Sequence, residues 1–152
     1  MEEYGVHGGL NRVLGIGHDL VDVGAFEGLL QETGSRMRQL FSVRELRQAE
    51  ALAASKGDAS SLHLAAKWAG KESVLKAWCT ALGSQRPPYT VDTFPWAEVE
   101  VIDDVLGRPG IYLSQTVEAQ LAQSMKQQQP LMWLISISHD GPVASAVVLL
   151  GL

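Results

Sequence analysis

The chain has 152 residues, the size of one domain able to bury its own core. Hydrophobic residues make up 46% of it and charged residues 19%, a balance that excludes an intrinsically disordered protein. Twelve Lys and Arg against 17 Asp and Glu leave a net charge of −5, which argues against nucleic acid as the partner, because duplex binding needs a basic excess to replace counterions.

Residues 1–12, with Gly5, Gly8 and Gly9 and no periodicity, read as a flexible N-terminal extension, leaving 13–152 as the domain. A short strand, Val13 to Gly17, ends at His18-Asp19. Val23, Phe26, Leu29 and Leu30 recur at helical spacing over 23–32, with Asp22 placed to cap the start. Thr33-Gly34-Ser35 breaks that helix, and Ser42 with Glu45 three positions on forms the capping box of a second. Lys56 to Ser61 is a loop. From Leu62 to Leu82 the chain is dense in Ala, Leu and Trp and apolar on most sides, which predicts a central helix.

Gly83 to Trp96, containing Arg86-Pro87-Pro88, is a loop long enough to suggest a functional or interface role. A strand over 98–102 follows, with Val99 and Val101 on one face; Gly107 to Gly110 turns and 111–113 returns. Ser114 caps a helix to about Met125, with Val117, Leu121 and Met125 in one stripe. The end is a hairpin: Leu131, Trp133, Ile135 and Ile137 alternate with Met132, Leu134, Ser136 and Ser138, the turn lies at His139 to Pro142, and Val143 to Leu150 returns. The order of elements is α+β, an antiparallel sheet packed against a long helix. Cys79 is alone and can form no intrachain disulfide, which suits a reducing cytoplasm. No apolar run approaches the roughly 20 residues that span a bilayer, so no membrane partner is expected.

Gly15-Ile16-Gly17-His18-Asp19-Leu20 fails as a dinucleotide fingerprint because Leu20 stands in the third glycine position. The two glycines instead let a strand pass close to another group and present Asp19, although an Asp at a strand end is more often a turn former. Glu72 and Lys76 are four residues apart on the long helix, with Trp68 one turn before. On an exposed helix that pair is worth about 0.2–0.5 kcal/mol. In an apolar helix a carboxylate needs a partner or a metal, so structure and function stand even here. Lys67 and Lys71 form another same-face pair, solvated or phosphate-facing.

Ser138 and His139 close the apolar strand, either as turn residues or as donors to a phosphate oxygen. His7, His18, His63 and His139 offer no zinc spacing, and the carboxylates favour magnesium. Arg36, Arg38, Arg44 and Arg47 make a basic patch on an acidic chain, a solvated face or a dock for an acidic partner.

Three segments stand in order: Gly15-Ile16-Gly17-His18-Asp19-Leu20-Val21, Phe41-Ser42-Val43-Arg44-Glu45, and Ala65 through Lys67-Trp68-Ala69-Gly70-Lys71-Glu72 and Lys76 to Trp78. Gly107-Arg108-Pro109 and Ser136-Ile137-Ser138-His139-Asp140 follow. Together they resemble the holo-[acyl-carrier-protein] synthases, the single-domain bacterial 4′-phosphopantetheinyl transferases, and Trp68 with Trp78 looks like the actinobacterial branch. The likeness runs from about Val13 to Leu150.

The resemblance implies transfer of the phosphopantetheine arm of coenzyme A to a serine of an apo acyl carrier protein or carrier domain. Adenosine 3′,5′-bisphosphate is the implied co-product, and the implied assembly is a homotrimer with sites between protomers. By the same resemblance Asp19 and Glu72 hold Mg²⁺ against the pyrophosphate, and Lys76 contacts phosphate oxygens. Ser138 and His139 match the segment at the nucleotide end, and Arg108 and Pro109 the loop reaching a neighbouring protomer's coenzyme A. Lys67 replaces a common arginine, keeping the charge but not the bidentate geometry. Glu45 also matches, but the capping box accounts for it.

The serine proton passes to Glu72 or to a water held by Asp19. Where familiar relatives carry carrier-gripping arginines, this chain has Ala25, Glu27 and Glu32, which implies either a dock on Arg36, Arg38, Arg44 and Arg47 or an unusual carrier. Gly70 costs its helix about 1 kcal/mol relative to Ala, which predicts close packing there. Two rivals remain, a non-catalytic module that binds coenzyme A or a carrier, and a metal-dependent hydrolase of nucleotide pyrophosphates.

Overall fold

Alternation that begins at Val13 continues to Asp22, so the first strand, β1 (Val13–Asp22), is twice the expected length. Gly15, Gly17, Asp19 and Val21 face inward and are buried, whereas Ile16, His18 and Leu20 face out. Asp19 therefore lies within a strand rather than at its tip, because its carboxylate belongs to the inward row. The structure is a computed structural model that describes residues 9–152. Most of the expected extension, residues 1–8, lies outside the described residues. At its far end Asn11 and Arg12 donate to the Leu152 carbonyl at 2.6 and 3.1 Å, tying the segment before β1 to the last residue.

Helix α1 (Val23–Gln31) starts where Asp22 Oδ1 accepts from the Ala25 amide at 2.7 Å. The capping box opens α2 (Val43–Lys56): Ser42 Oγ accepts from the Glu45 amide and Glu45 Oε2 from the Ser42 amide. Gly57 closes it in the left-handed region at φ 70°. The long helix α3 (Ser60–Leu82) is buried along most of its length, as its all-round apolar composition requires. A loop then leads to β2 (Val99–Asp103), β3 (Pro109–Leu113) and α4 (Gln115–Met125), the last capped by Ser114. The closing hairpin is β4 (Met132–Asp140) and β5 (Val143–Gly151). Its turn is only Gly141-Pro142, because Asp140 pairs with Val143, so His139 stands in the strand and not in the turn.

The sheet order β1-β5-β4 is antiparallel throughout, and β2–β3 is a separate hairpin. Ala144, Ala146, Val148 and Leu150 of the central strand face α3 and are buried. A Cβ on Gly15 or Gly17 would run into the carbonyls of Ala77 or Ser73, so β1 crosses α3 closer than any larger residue permits. Gly70 has the close packing expected of it, since a Cβ there would meet Ile135 Cδ1 and Val101 Cγ2 at 3.1 Å. The other sheet face carries Ile16, Leu20, Leu134 and Val147, all exposed. Among the described residues, no helix is long and apolar enough to cross a membrane.

Candidate active site

The close crossing of β1 and α3 brings Asp19, Glu72 and Lys76 together. Asp19 Oδ1 lies 2.6 Å from Lys76 Nζ, which also donates to the His18 carbonyl at 3.1 Å. Lys76 thus forms its ion pair across the two elements with Asp19 and not along the helix with Glu72. Asp19 is 8% exposed, and its Oδ2 is buried with no hydrogen-bond partner among the described residues. The Glu72 carboxyl faces that of Asp19 and is pushed up to about 7. Burial is the main cause, followed by the hydrogen bond and charge of Asp19; Lys76 and the Trp68 side chain pull the other way.

Two neighbouring carboxyls, one with an unsatisfied buried oxygen and one whose ionisation is disfavoured, share the single ammonium of Lys76 and have room for more positive charge. That donor set fits a hard divalent cation that takes its remaining ligands from water and substrate phosphates, as Mg²⁺ does. Trp68, one turn before Glu72, is wedged between Phe41 and Trp96, with ring centroids 6.1 and 4.7 Å away.

Lys67, Pro109 and His139 line one cleft of about 160 Å³, and Lys56, His63 and Asp103 line it with them. Sequence reasoning missed Lys56 and His63. The signal for His63 was its place one turn before Lys67 on the same helix face; no spacing marks Lys56, which lies on α2. His63 Nε2 lies 2.6 Å from Asp58 Oδ1, which orients the ring.

Lys67 lines the cleft and is also bound by the protein. It is 3% exposed, and its Nζ donates to Gln48 Oε1 and the Val101 carbonyl, each at 2.7 Å. Burial lowers its pKa against the pull of Asp103, Glu45 and Glu100. Two of the three N–H donors of its ammonium go to the Gln48 and Val101 acceptors. Lys71 is neither solvated nor phosphate-facing: it is fully buried, 2.8 Å from Glu45 Oε2, and donates to the carbonyls of Trp96 and Val99 at 2.6 Å. Glu45 therefore does more than cap α2, since its Oε1 also accepts from the Val101 amide at 2.9 Å.

Arg108 stands on the turn between β2 and β3, its Nε 2.7 Å from Asp104 Oδ2 and its side chain largely in solvent. The backbone N–H and guanidinium of Arg108 hold the Asp104 carboxyl below its ordinary range. Ser138 is exposed and pairs with Ser145, which pairs in turn with Leu20, so Ser138 lies on the outer sheet face while His139 reaches the cleft. Of the basic patch, Arg44 is engaged, 3.3 Å from Glu100 Oε1 and over the Tyr112 ring, whereas Arg36, Arg38 and Arg47 are exposed.

A family model described as the 4′-phosphopantetheinyl transferase superfamily matches residues 15–147. The chain is 51% identical over 144 residues to a holo-[acyl-carrier-protein] synthase of Bifidobacterium animalis subsp. lactis, covering 91% of this chain and 97% of that relative. It is 36% identical to a Corynebacterium glutamicum protein of the same name, covering 91% and 98%. Among solved structures, a coenzyme A complex of the Chronobacterium ammoniagenes enzyme superposes with TM-score 0.80 at 36% identity, over 90% of this chain and 96% of that one. The paired carboxyls and the lysine that β1 and α3 bring together thus sit in a fold and a sequence that agree, and the chain belongs to the 4′-phosphopantetheinyl transferase superfamily, among the holo-[acyl-carrier-protein] synthases.

Proposed function

We propose that this protein transfers the 4′-phosphopantetheine arm of coenzyme A to a serine of an apo acyl carrier protein or carrier domain, with Mg²⁺ held by Asp19 and Glu72. The observation that carries the reading is the Asp19–Glu72–Lys76 cluster, with its unsatisfied Asp19 Oδ2. Its likeness to the Chronobacterium ammoniagenes complex supports coenzyme A as the donor.

In the transfer, the serine oxygen forms a bond to the β-phosphorus as the pyrophosphate P–O bond breaks, and adenosine 3′,5′-bisphosphate leaves. The serine proton is released to a base at the site. A bound divalent cation would supply charge neutralisation for the pyrophosphate. Lys76, about half exposed, keeps an ammonium at the mouth of the site, where phosphate oxygens can share it with Asp19. Lys56, His63 and His139 place further donors in the cleft beside Lys67 and Pro109, suited to the nucleotide end of coenzyme A. Arg36, Arg38 and Arg47, beside α2, offer positive charge to an acidic carrier.

The assembly belongs to the same reading. The exposed sheet face runs as rows across three strands: Ile16, Leu149 and Leu134 in one, His18, Val147 and Ser136 in the next. Ile16 is 52% and Leu134 46% exposed, an apolar surface of the kind that copies of a chain cover for one another, which supports a homotrimer. In that arrangement Arg108, Pro109 and Ser138 serve sites shared between protomers. The cytoplasm is the proposed location, in keeping with the free thiol of Cys79.

The deciding experiment is intact-mass analysis of apo carrier incubated with the protein, coenzyme A and Mg²⁺. A gain of one phosphopantetheine arm, lost on chelation, is expected. Coenzyme A bound without transfer to any of several carriers would favour the non-catalytic module. Cleavage of coenzyme A without a carrier would favour the hydrolase.

A further inference from the structure

Strand β2 has two edges, and among the described residues only one meets another strand. Ser114 donates to Glu98 and Asp104 to the Arg108 carbonyl, both at 2.9 Å, so the even-numbered residues of β2 bond to β3. The odd-numbered residues point the other way, toward α2 and α3, where four side chains take the place of a strand. Lys71 donates to the Val99 carbonyl at 2.6 Å. Glu45 accepts from the Val101 amide at 2.9 Å, and Lys67 donates to the Val101 carbonyl at 2.7 Å. The Gln48 amide group answers both backbone groups of Asp103, accepting from its N–H and donating to its carbonyl, each at 2.9 Å. The row is itself linked, since Lys67 donates to Gln48 and Lys71 pairs with Glu45.

Apolar side chains of similar volume would often hold two elements together as well as buried charges do, because two lysines and a glutamate must be stripped of water to stand here. What apolar packing lacks is register. A slip of β2 by one pair of residues would misalign the row by about 7 Å and break each bond in it. The end of the strand that this row pins carries Asp103, and beyond it Gly107 and Pro109, into the cleft that holds His63 and His139.

We infer that Gln48, Lys67, Lys71 and Glu45 are positioning residues for the donor substrate: they fix the register of the β2–β3 hairpin, and through it the wall of the coenzyme A cleft. Lys67 acts through the Val101 carbonyl. The inference rests on the reading of the cleft as the coenzyme A site.

Gln48 is the residue to change, because it touches β2 and does not line the cleft. Gln48→Met should raise the KM for coenzyme A about tenfold, the equivalent of about 1.4 kcal/mol, while kcat and the KM for the carrier stay within about twofold. Hydrogen exchange at the Asp103 amide should accelerate in the same variant. A merely structural Gln48 would lower the melting temperature and leave the coenzyme A KM where it was, and that result overturns the inference.

Should Gln48→Met not fold, the wild-type protein carries the test. Its Val101 and Asp103 amides, which face no strand, should exchange as slowly as those of Glu100 and Ile102, which face β3. Fast exchange at Val101 and Asp103 would overturn the proposed row. The exchange measurement needs no substrate, so a wild-type protein that transfers no phosphopantetheine fails the functional reading and is told apart from failure of the row.

Discussion

Lys76 on α3 and Asp19 on β1 are 57 residues apart in the chain, and their charged atoms lie 2.6 Å apart. The lysine is about half exposed while the aspartate is nearly buried, so the pair has one end in water and one in the core. That asymmetry suits a group that must hold a buried carboxylate in place and still reach a phosphate arriving from solvent. Replacing Lys76 by Met removes the shared ammonium. Transfer should fall about a hundredfold in kcat, the scale of one lost electrostatic contact to a transition state. Circular dichroism should show the fold unchanged; near-normal turnover would take Lys76 out of the chemistry.

Glu72 makes the site's stability depend on pH in a direction opposite to that of an ordinary paired carboxylate. Burial and the neighbouring Asp19 carboxyl raise its pKa to about 7 from a model-peptide value of 4.5, so between those values the folded protein binds more protons than the unfolded chain, and near pH 7 the group is about half ionised. Metal-free protein should therefore lose stability as pH rises from about 4.5 to about 7, and change little on this account above it. Solvent access to Glu72 limits the loss to about 1–2 kcal/mol. Urea melts across this range check the slope, which should flatten in Glu72→Gln. The same variant should lose transfer and should lack the stabilisation by Mg²⁺ expected of the wild type at pH 7.5. A slope identical in both proteins would assign the effect to another group.

Gly17 is where the backbone of β1 passes the Ser73 carbonyl. Gly17→Ala has no room, because the obstacle is main chain and cannot rotate away. The strand must lift, which should cost about 3 kcal/mol and carry Asp19 away from Lys76. The expected result is a lower denaturation midpoint together with a loss of transfer larger than the residual folded fraction explains. A variant as stable and active as the wild type would mean that β1 and α3 do not cross as closely as described.

The exposed sheet face offers a test of assembly that leaves the monomer fold alone. Leu134 is 46% exposed, so Leu134→Glu should change monomer stability by no more than about 0.5 kcal/mol. Light scattering should nevertheless report a fall from trimer to monomer mass. In wild-type background, mixing inactive Arg108→Ala and Glu72→Ala proteins should restore part of the activity if sites are shared between protomers. An unchanged mass for Leu134→Glu and no rescue on mixing would both count against the shared-site arrangement.

Much of the fold was legible because it rests on short-range rules. The long helix, the stripe of Val117 and Leu121, the Ser42–Glu45 capping box and the closing hairpin each follow from periodicity or from a side chain reaching its own neighbours. The glycines at 15 and 17 announced a close approach without saying to what. From sequence the strand containing Asp19 ends too early, because a carboxylate in an inward row looks like a boundary.

The sequence by itself determined which segments are helix and strand, which residues carry charge, and that the order of motifs is that of the phosphopantetheinyl transferases. Only the tertiary structure decided where each charge goes. Three lysines on one helix, Lys67, Lys71 and Lys76, look alike in the sequence; one holds Val101 and Gln48, one is buried against Glu45, and one stands at the site with Asp19. The physical reason is that a helix pattern is set within a few residues, whereas the partner of a charge is set by which distant segment is brought beside it. Close passage of β1 over α3, which two glycines permit, made Asp19 and Lys76 neighbours; docking of β2 on α2 and α3 consumed the other two lysines.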